Sequence, residues 1–548
     1  MGVLINRRIG LLFALFLLLL VAASARAAWL GTVEAGGLKE RALTQQVEDL
    51  EISARRGTIT DRNGLELAVS EDAVTVFANP PLVRSPTAAA EKLAPLLGRP
   101  LDDVLADLTD AETGFVYLAR KLGPVRGAKV EELEIEGIET MVEPKRTYPQ
   151  GSVAAQLIGS VGTDNYGLSG IEQQHEDDLG GSDGERRLVK DAMGEPVSII
   201  ETKRAEAGED MRLTIDSVLQ ERVEAVMGEL GQLHLPKAAT AVVMDPRNGE
   251  VLALANWPRV DANDIGSAPE YARANRAVTA SYEPGSTFKA FTVAGAIEEG
   301  LVRPETSFEV PAEIEVADRT IGEAHDMGGA TRTTAEILAQ SSNVGSVMIG
   351  LKLGSERFDG WVRKFGFGSP TGIGLPGEAG GIVPRPADYS GSSLGNLPIG
   401  QGLAVTPMQM VAGYSAIANG GVIHQPHVVA GEHDEGRRVI SQRTAGEVSR
   451  MLEGVLGAGG TATEASIEGY QLAGKTGTAE KPDPKTGGYS DYKFFSSFIG
   501  YAPARDPRLM VAVMVDEPRI GYYGAEVAAP AFEKIVSFAL PYMRIPPD

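Results

Sequence analysis

The sequence predicts an α+β fold: a five-stranded antiparallel sheet flanked by helices, preceded by a smaller, irregular α+β module. Three observations lead there. Two apolar strands, 238–244 and 250–255, precede a mainly helical stretch from about 285 to 455, and three more, 471–480, 494–502 and 509–516, follow it. Before about residue 212, short helices instead alternate with short strands and turn clusters. Hydrophobic residues make up 43% and charged residues 23% of the 548, enough apolar material for sizeable cores in more than one domain. The expected division is an N-terminal anchor over 1–29, the irregular domain over 30–212 and the sheet domain over 213–548.

In chain order, Arg7 and Arg8 stand before an apolar run from Ile9 to Ala25, extended by Ala27, Ala28, Trp29 and Leu30. About 20 apolar residues cross a bilayer, so the run reads as a single membrane-spanning helix. A cleaved signal peptide is the rival, because Ala23-Ser24-Ala25 and Ala25-Arg26-Ala27 have the small-x-small form. In either case the arginines stay in the cytoplasm and the rest is exported. Residues 30 to about 50 read as a polar stalk with some helical character. Extended segments on either side of Asp61-Arg62-Asn63-Gly64 predict a hairpin, since Asn-Gly accepts the positive φ of a tight turn. Helices are expected over 88–97 and 102–108. Ser217-Val218-Leu219-Gln220 has capping-box form, and Leu219, Val223, Val226 and Leu230 return at helical spacing. Asp245-Pro246-Arg247-Asn248-Gly249 turns the first two sheet strands. Pro530 suits the first turn of a closing helix.

Charge and composition narrow the function. Asp and Glu outnumber Lys and Arg by 74 to 51, a net charge of −23, which argues against a nucleic-acid partner whose phosphates must be neutralised. With no cysteine, disulfides, thiol nucleophiles and thiolate metal sites are excluded. The six histidines, 175, 234, 325, 424, 427 and 433, show no paired helical spacing, so neither a metal nor another cofactor is expected.

Three short elements carry the chemistry. The first is Ser286-Thr287-Phe288-Lys289, where Pro284-Gly285 ends the preceding segment and a helical pattern begins, with Gly300 closing it. One helical turn puts the hydroxyl and the amine on one face, and free N–H groups at a helix start favour a developing oxyanion. A neutral Lys289 could take the serine proton. With an ordinary lysine pKa of about 10.4, neutrality at pH 7 requires a shift of about 3 units, supplied by burial or by a second cation. The second element, Ser341-Ser342-Asn343, reads as the link between two helices, and the third, Lys475-Thr476-Gly477-Thr478, sits on a strand where glycine permits close approach by a ligand. Each alone is weak: Ser490-Asp491-Tyr492-Lys493 and Lys485-Thr486-Gly487 repeat two of them in a turn-rich stretch. The ordered set, each member in a suitable setting, is specific; it is a known signature of penicillin-binding proteins and class A β-lactamases.

Over almost its whole length the chain resembles the class B penicillin-binding proteins, membrane-anchored D,D-transpeptidases of peptidoglycan synthesis with a penicillin-binding/β-lactamase-like catalytic domain. In the first half, Arg56-Gly57 with Asp61-Arg62-Asn63-Gly64, Arg146 with Tyr148-Pro149, and Gly167 with Gly170-Ile171-Glu172 resemble the motifs of that class's non-catalytic pedestal, or dimerisation-type, domain. Read as residues alone they are turn glycines and buried ion pairs. Tyr282-Glu283-Pro284-Gly285, Pro398-Ile399-Gly400-Gln401-Gly402, Thr406-Pro407 with Gln409, and Asp516-Glu517-Pro518 followed by Tyr522-Tyr523-Gly524 are similar to the division-type, FtsI-like branch.

The resemblance implies that Ser286 attacks the penultimate D-Ala carbonyl of a stem peptide with Lys289 as base. Ser341 would relay a proton to the leaving nitrogen, and Asn343 would hold Lys289 and a substrate amide. Lys475 would keep Lys289 neutral by like charge and attract the substrate carboxylate, which Thr476 and Thr478 would bind, with Gly477 completing the substrate strand. Backbone N–H groups of Ser286 and Thr478 would form the oxyanion hole. It further implies acylation by β-lactam antibiotics, an extracytoplasmic catalytic domain on a single-pass inner-membrane anchor, and partnership with a SEDS-family glycan polymerase (FtsW-like) and other divisome proteins. Rival readings are a β-lactamase, a β-lactam-binding envelope scaffold, and an elongation or sporulation transpeptidase. Against the first, no Glu-x-x-Leu-Asn stretch lies between Asn343 and Lys475.

Overall fold

The structure is a computed structural model that describes residues 2–32, 47–110, 113–190, 196–324, 328–483, 485 and 487–547. Its contacts divide the chain into two compact units, Met1–Arg55 with Gly181–Gly208, and Arg56–Gly180 with Glu209–Asp548. The first unit holds the helix Gly2–Thr32, whose stretch Ile9–Leu30 is long and apolar enough to cross a membrane. It also holds an antiparallel sheet in which Gly184–Lys190 lies between Val47–Ile52 and Pro196–Lys203. The end of the expected helical stalk is thus a strand; its residues 33–46 lie outside those described.

In the second unit the first half is built on the long strand Glu66–Ala78, paired antiparallel with Val116–Leu122 and Ile138–Thr147. The predicted hairpin is present: Ile59 pairs with Ala68 across the turn, and the Asp61 carboxylate accepts from the Asn63 and Leu65 N–H groups. Helices Pro86–Leu97 and Leu101–Thr109 bury Leu93, Leu97, Val104 and Leu108 against this sheet. The pedestal motifs are structural. Arg56 and Arg146 both hold the buried Glu172 carboxylate, at 2.9 and 2.6 Å. Asp61 also accepts from the N–H of Ser217, tying the hairpin to the start of the next helix.

The second half contains helix α1 (Ser217–His234), strands β1 (Ala238–Met244) and β2 (Val251–Trp257), helices α2 (Lys289–Glu298), α3 (Thr334–Ala339), α4 (Asn343–Leu353), α5 (Pro407–Ala418) and α6 (Gln442–Glu453), strands β3 (Ala473–Asp483), β4 (Gly488–Ala502) and β5 (Leu509–Asp516), and helix α7 (Ala529–Tyr542). All five strands form one antiparallel sheet in the order β2-β1-β5-β4-β3. Every residue of β1 and β5 is buried. Because successive side chains point to opposite faces, burial without alternation means that helices cover both faces. Strand β3 is at the sheet edge, leaving one side open to the nucleophile turn and to a ligand.

Two expectations need correction, and a third, the mainly helical middle, needs an addition. Helix α1 is capped by Asp216, whose carboxylate accepts from the Val218 and Leu219 N–H groups, so Ser217 is already its first residue. The middle stretch is not only helical: Ser307–Val310 pairs with Ala330–Thr333, and Glu313–Val316 with Arg319–Gly322. Strands of four residues are too short to show a period in sequence. Finally, β4 begins at Gly488 rather than 494 and β3 runs to Asp483, so the polar stretch carrying the second Ser-x-x-Lys is a long hairpin.

Candidate active site

Ser286 lies on a 3₁₀ turn, Gly285–Phe288, and Lys289 opens α2 directly behind it. The expected helix start is therefore wound more tightly than an α-helix. Gly285 is required there: its φ is +55°, and a Cβ would stand 3.1 Å from the Thr478 carbonyl oxygen and 3.2 Å from Ala479 Cβ. Three hydrogen bonds set the turn: Gly285 N–H to Gly400 O (3.0 Å), Thr287 Oγ1 to Pro284 O (2.7 Å) and Tyr414 OH to Thr287 O (2.6 Å).

Helix α2 is buried on every side, and Phe288 and Phe291 pack with Phe367 and Tyr414 around it. That apolar packing explains why Lys289 is fully buried (0% exposed). Its Nζ donates to the Ser341 carbonyl (2.6 Å) and Asn343 Oδ1 (2.7 Å), with Ser341 Oγ at 3.3 Å. These partners are dipoles and not counter-ions, so burial lowers the Lys289 pKa to about 7, against an opposing pull from Glu323.

The second element is the predicted link between helices, α3 to α4, with Ser342 capping α4 through the Gly345 N–H. Ser341 has φ +63°, an uncommon conformation for a residue with a Cβ and one found at sites whose surroundings over-determine it. Here both its carbonyl and its hydroxyl reach Lys289. Asn343 Nδ2 donates to Gly322 O (3.1 Å), so one of its two amide hydrogens is already engaged.

On β3, Lys475 is also fully buried, with Nζ against the Thr476 carbonyl (3.2 Å). Burial and then the Lys289 charge hold it well below the ordinary lysine range. The like-charge effect thus adds to burial at Lys475, while burial is what depresses Lys289. Gly477 permits close approach, but by the chain's own segments: a Cβ there would lie 2.4 Å from Ser497 Oγ, 2.9 Å from Thr287 Cγ2 and 3.1 Å from Pro284 O. Gly477→Ala is therefore expected to push β3 off the nucleophile turn. A penicillin-acylation rate lower by about 100-fold, the scale of a 1 Å misplacement, with a lower unfolding midpoint, is the measurement.

Ser286, Ser341, Thr476 and Thr478 line one cleft of about 560 Å³, joined by Thr461 and Tyr523. The predicted site residues thus come together from three separate places in the sequence. The second copies, Ser490 with Lys493 and Lys485 with Gly487, lie on the β3–β4 hairpin and do not line it. Sequence reading missed three contributors. Thr461 bonds Thr476 hydroxyl to hydroxyl (2.9 Å), the Gly524 N–H donates to Thr478 Oγ1 (2.9 Å), and Glu323 accepts from Ser342 and Asn343. Tyr522-Tyr523-Gly524, a family-like segment, is the one sequence signal for the second; a lone threonine and a lone glutamate offer none.

A primary alcohol one turn from a buried, proton-poor amine, facing a strand of hydroxyls and backbone amides, is the apparatus of a serine acyltransferase. Residues 239–537 match the penicillin binding protein transpeptidase domain, and residues 51–213 the penicillin-binding protein dimerisation domain. The chain belongs to the class B penicillin-binding proteins. It is 35% identical to penicillin-binding protein PbpB of Mycolicibacterium smegmatis over 97% of this chain and 89% of that one. It is 33% identical to the peptidoglycan D,D-transpeptidase FtsI of Escherichia coli K12, over 99% and 93% respectively. Among solved structures, penicillin-binding protein 3 of Mycobacterium tuberculosis in complex with aztreonam superposes with a TM-score of 0.72 at 31% identity, covering 91% of this chain and 98% of that one.

Proposed function

We propose that the chain is a peptidoglycan D,D-transpeptidase that forms crosslinks through an acyl-enzyme on Ser286 and is inactivated by β-lactams at the same hydroxyl. The observation that carries this reading is the pair of acceptors on Lys289, Ser341 O and Asn343 Oδ1. A neutral amine has two N–H bonds and one lone pair; with both N–H bonds spent on these acceptors, the lone pair is left to take a hydroxyl proton, that of Ser341 at 3.3 Å or that of Ser286 as it attacks. Ser286 Oγ attacks the penultimate D-Ala carbonyl while its proton passes to Lys289. The oxyanion forms between the N–H groups of Ser286 and Thr478, each worth about 3–4 kcal/mol in comparable sites. Ser341 passes a proton to the departing D-Ala nitrogen. An amine from a second stem peptide then attacks the ester, frees Ser286 and returns the proton by the reverse route. The substrate carboxylate binds Thr476 and Thr478, and its charge favours the protonated form of Lys475.

The division-type motifs and the FtsI relative support a role in the septal wall, with a SEDS-family polymerase of the FtsW kind and other divisome proteins as partners. Residues 1–29 would be the anchor with Arg7 and Arg8 in the cytoplasm, 30–212 the pedestal, and 213–548 the catalytic domain outside. Two measurements test this. The purified full-length chain, given a pentapeptide stem and an amine acceptor, should release D-Ala in step with crosslinked product and stay labelled by a fluorescent penicillin. Rapid loss of the label indicates a β-lactamase, and no labelling at all a scaffold. A tagged copy should gather at the division site; an even distribution along the cell wall indicates elongation instead.

A further inference from the structure

The short hairpin Glu313–Val316/Arg319–Gly322 ends in two residues whose bonds converge on the second motif. The Glu323 carboxylate accepts from the Ser342 hydroxyl and from the backbone N–H of Asn343 (2.7 Å), and the Gly322 carbonyl accepts from Asn343 Nδ2 (3.1 Å). Asn343 is thereby gripped at backbone and side chain together, and its Oδ1 is left facing Lys289. A carboxylate at the first residue of α4 also sits where the helix dipole favours negative charge.

We infer that Glu323 is a positioning residue for acylation: it fixes Ser342 and Asn343, through them aims the Lys289 amine at Ser286, and is the counter-charge of that buried site. Three features support this. Both bonds go to the motif that touches Lys289. Glu323 is the one anion that acts on the Lys289 amine among the described residues, and Lys475 on β3 is the one neighbouring cation coupled to it. The next residue, Ala324, lines the cleft, so the strap is part of its wall. Without the Glu323 charge, Lys289 loses its proton at lower pH, and without the two bonds Asn343 is free to turn.

The inference rests on Lys289 being the base, and the experiment separates the two. The second-order rate of acylation by a fluorescent penicillin is measured from pH 5 to 9 on the full-length chain in detergent. Lys289→Met tests the base itself; if it acylates normally, the base assignment fails. With that assignment standing, Glu323→Gln should move the acidic limb of the profile down by about one pH unit and lower the plateau about tenfold. Glu323→Asp, which keeps the charge and shortens the reach, should leave the limb in place while lowering the plateau. A Glu323→Gln limb that stays with wild type overturns the inference, whether or not the plateau falls. So does an Asp limb that moves as far as the Gln limb, and the Asp profile decides alone if Glu323→Gln does not fold.

Discussion

Replacing Ser286 by alanine is expected to abolish covalent labelling by penicillin, lowering acylation by about 10⁶, the scale seen when a serine enzyme loses its nucleophile. The loss should be chemical and not structural. Among the described residues the Ser286 hydroxyl has no hydrogen-bond partner, and the turn that presents it is held by Gly285, Thr287 and Tyr414 through other atoms. Thermal unfolding of Ser286→Ala should thus match wild type to within about 0.5 kcal/mol. Gel fluorescence and a melting curve on the same preparation check both halves. Labelling that survives the substitution assigns the nucleophile elsewhere; Ser490 is then the next hydroxyl to test.

Lys289→Met should cost about 10⁴ in acylation, the upper range for loss of a general base, and it should also change how stability depends on pH. The amine titrates near 7 in the folded chain and near 10.4 when unfolded. Between those values the unfolded chain binds more protons, so raising the pH stabilises the fold. The cost of burying this lysine is full below 7 and gone above 10.4. In the methionine variant it is absent throughout. Wild type should therefore gain on the variant by roughly 4 kcal/mol between pH 7 and 10.4. The weaker repulsion on Lys475 in the variant acts in the same direction. Denaturant unfolding at both pH values measures the gap, and a gap that does not change with pH removes burial as the cause of the neutral amine. Asn343 Oδ1 and Ser341 O lose their donor in the variant, a cost that shifts both pH values alike.

What the sequence made legible follows from what is local. Ser286 and Lys289 are one turn apart, Ser341 and Asn343 flank the start of one helix, and Thr476 to Thr478 share one strand; each group can be read without knowing the fold. The apolar runs of β1 and β5 are equally plain. Contacts built from distant segments were not. Glu323 reaches Asn343 from just past a strand of four residues, Gly400 grips Gly285 across more than a hundred positions, and Thr461 meets Thr476 from an irregular loop. The cap of α1 was misplaced by one residue because Asp216 and Ser217 are both good caps, and only the path of the chain decides which is outside the helix. Gly477 shows in sequence that something comes close to the strand, but not whether it is a ligand or the chain itself. The source of the Lys289 shift is equally hidden: a motif places two lysines in one site, whereas the burial that lowers both of them comes from packing.

The neutral amine is the center of the mechanism, and its titration can be followed directly. Full-length chain carrying lysine labelled with ¹³C at Cε gives a resonance for Lys289 that is assigned by its absence from Lys289→Met. That resonance should titrate with a midpoint of about 7. A midpoint near 10.4, in a preparation whose Ser286 still takes up penicillin at pH 7, contradicts a neutral Lys289 as the base.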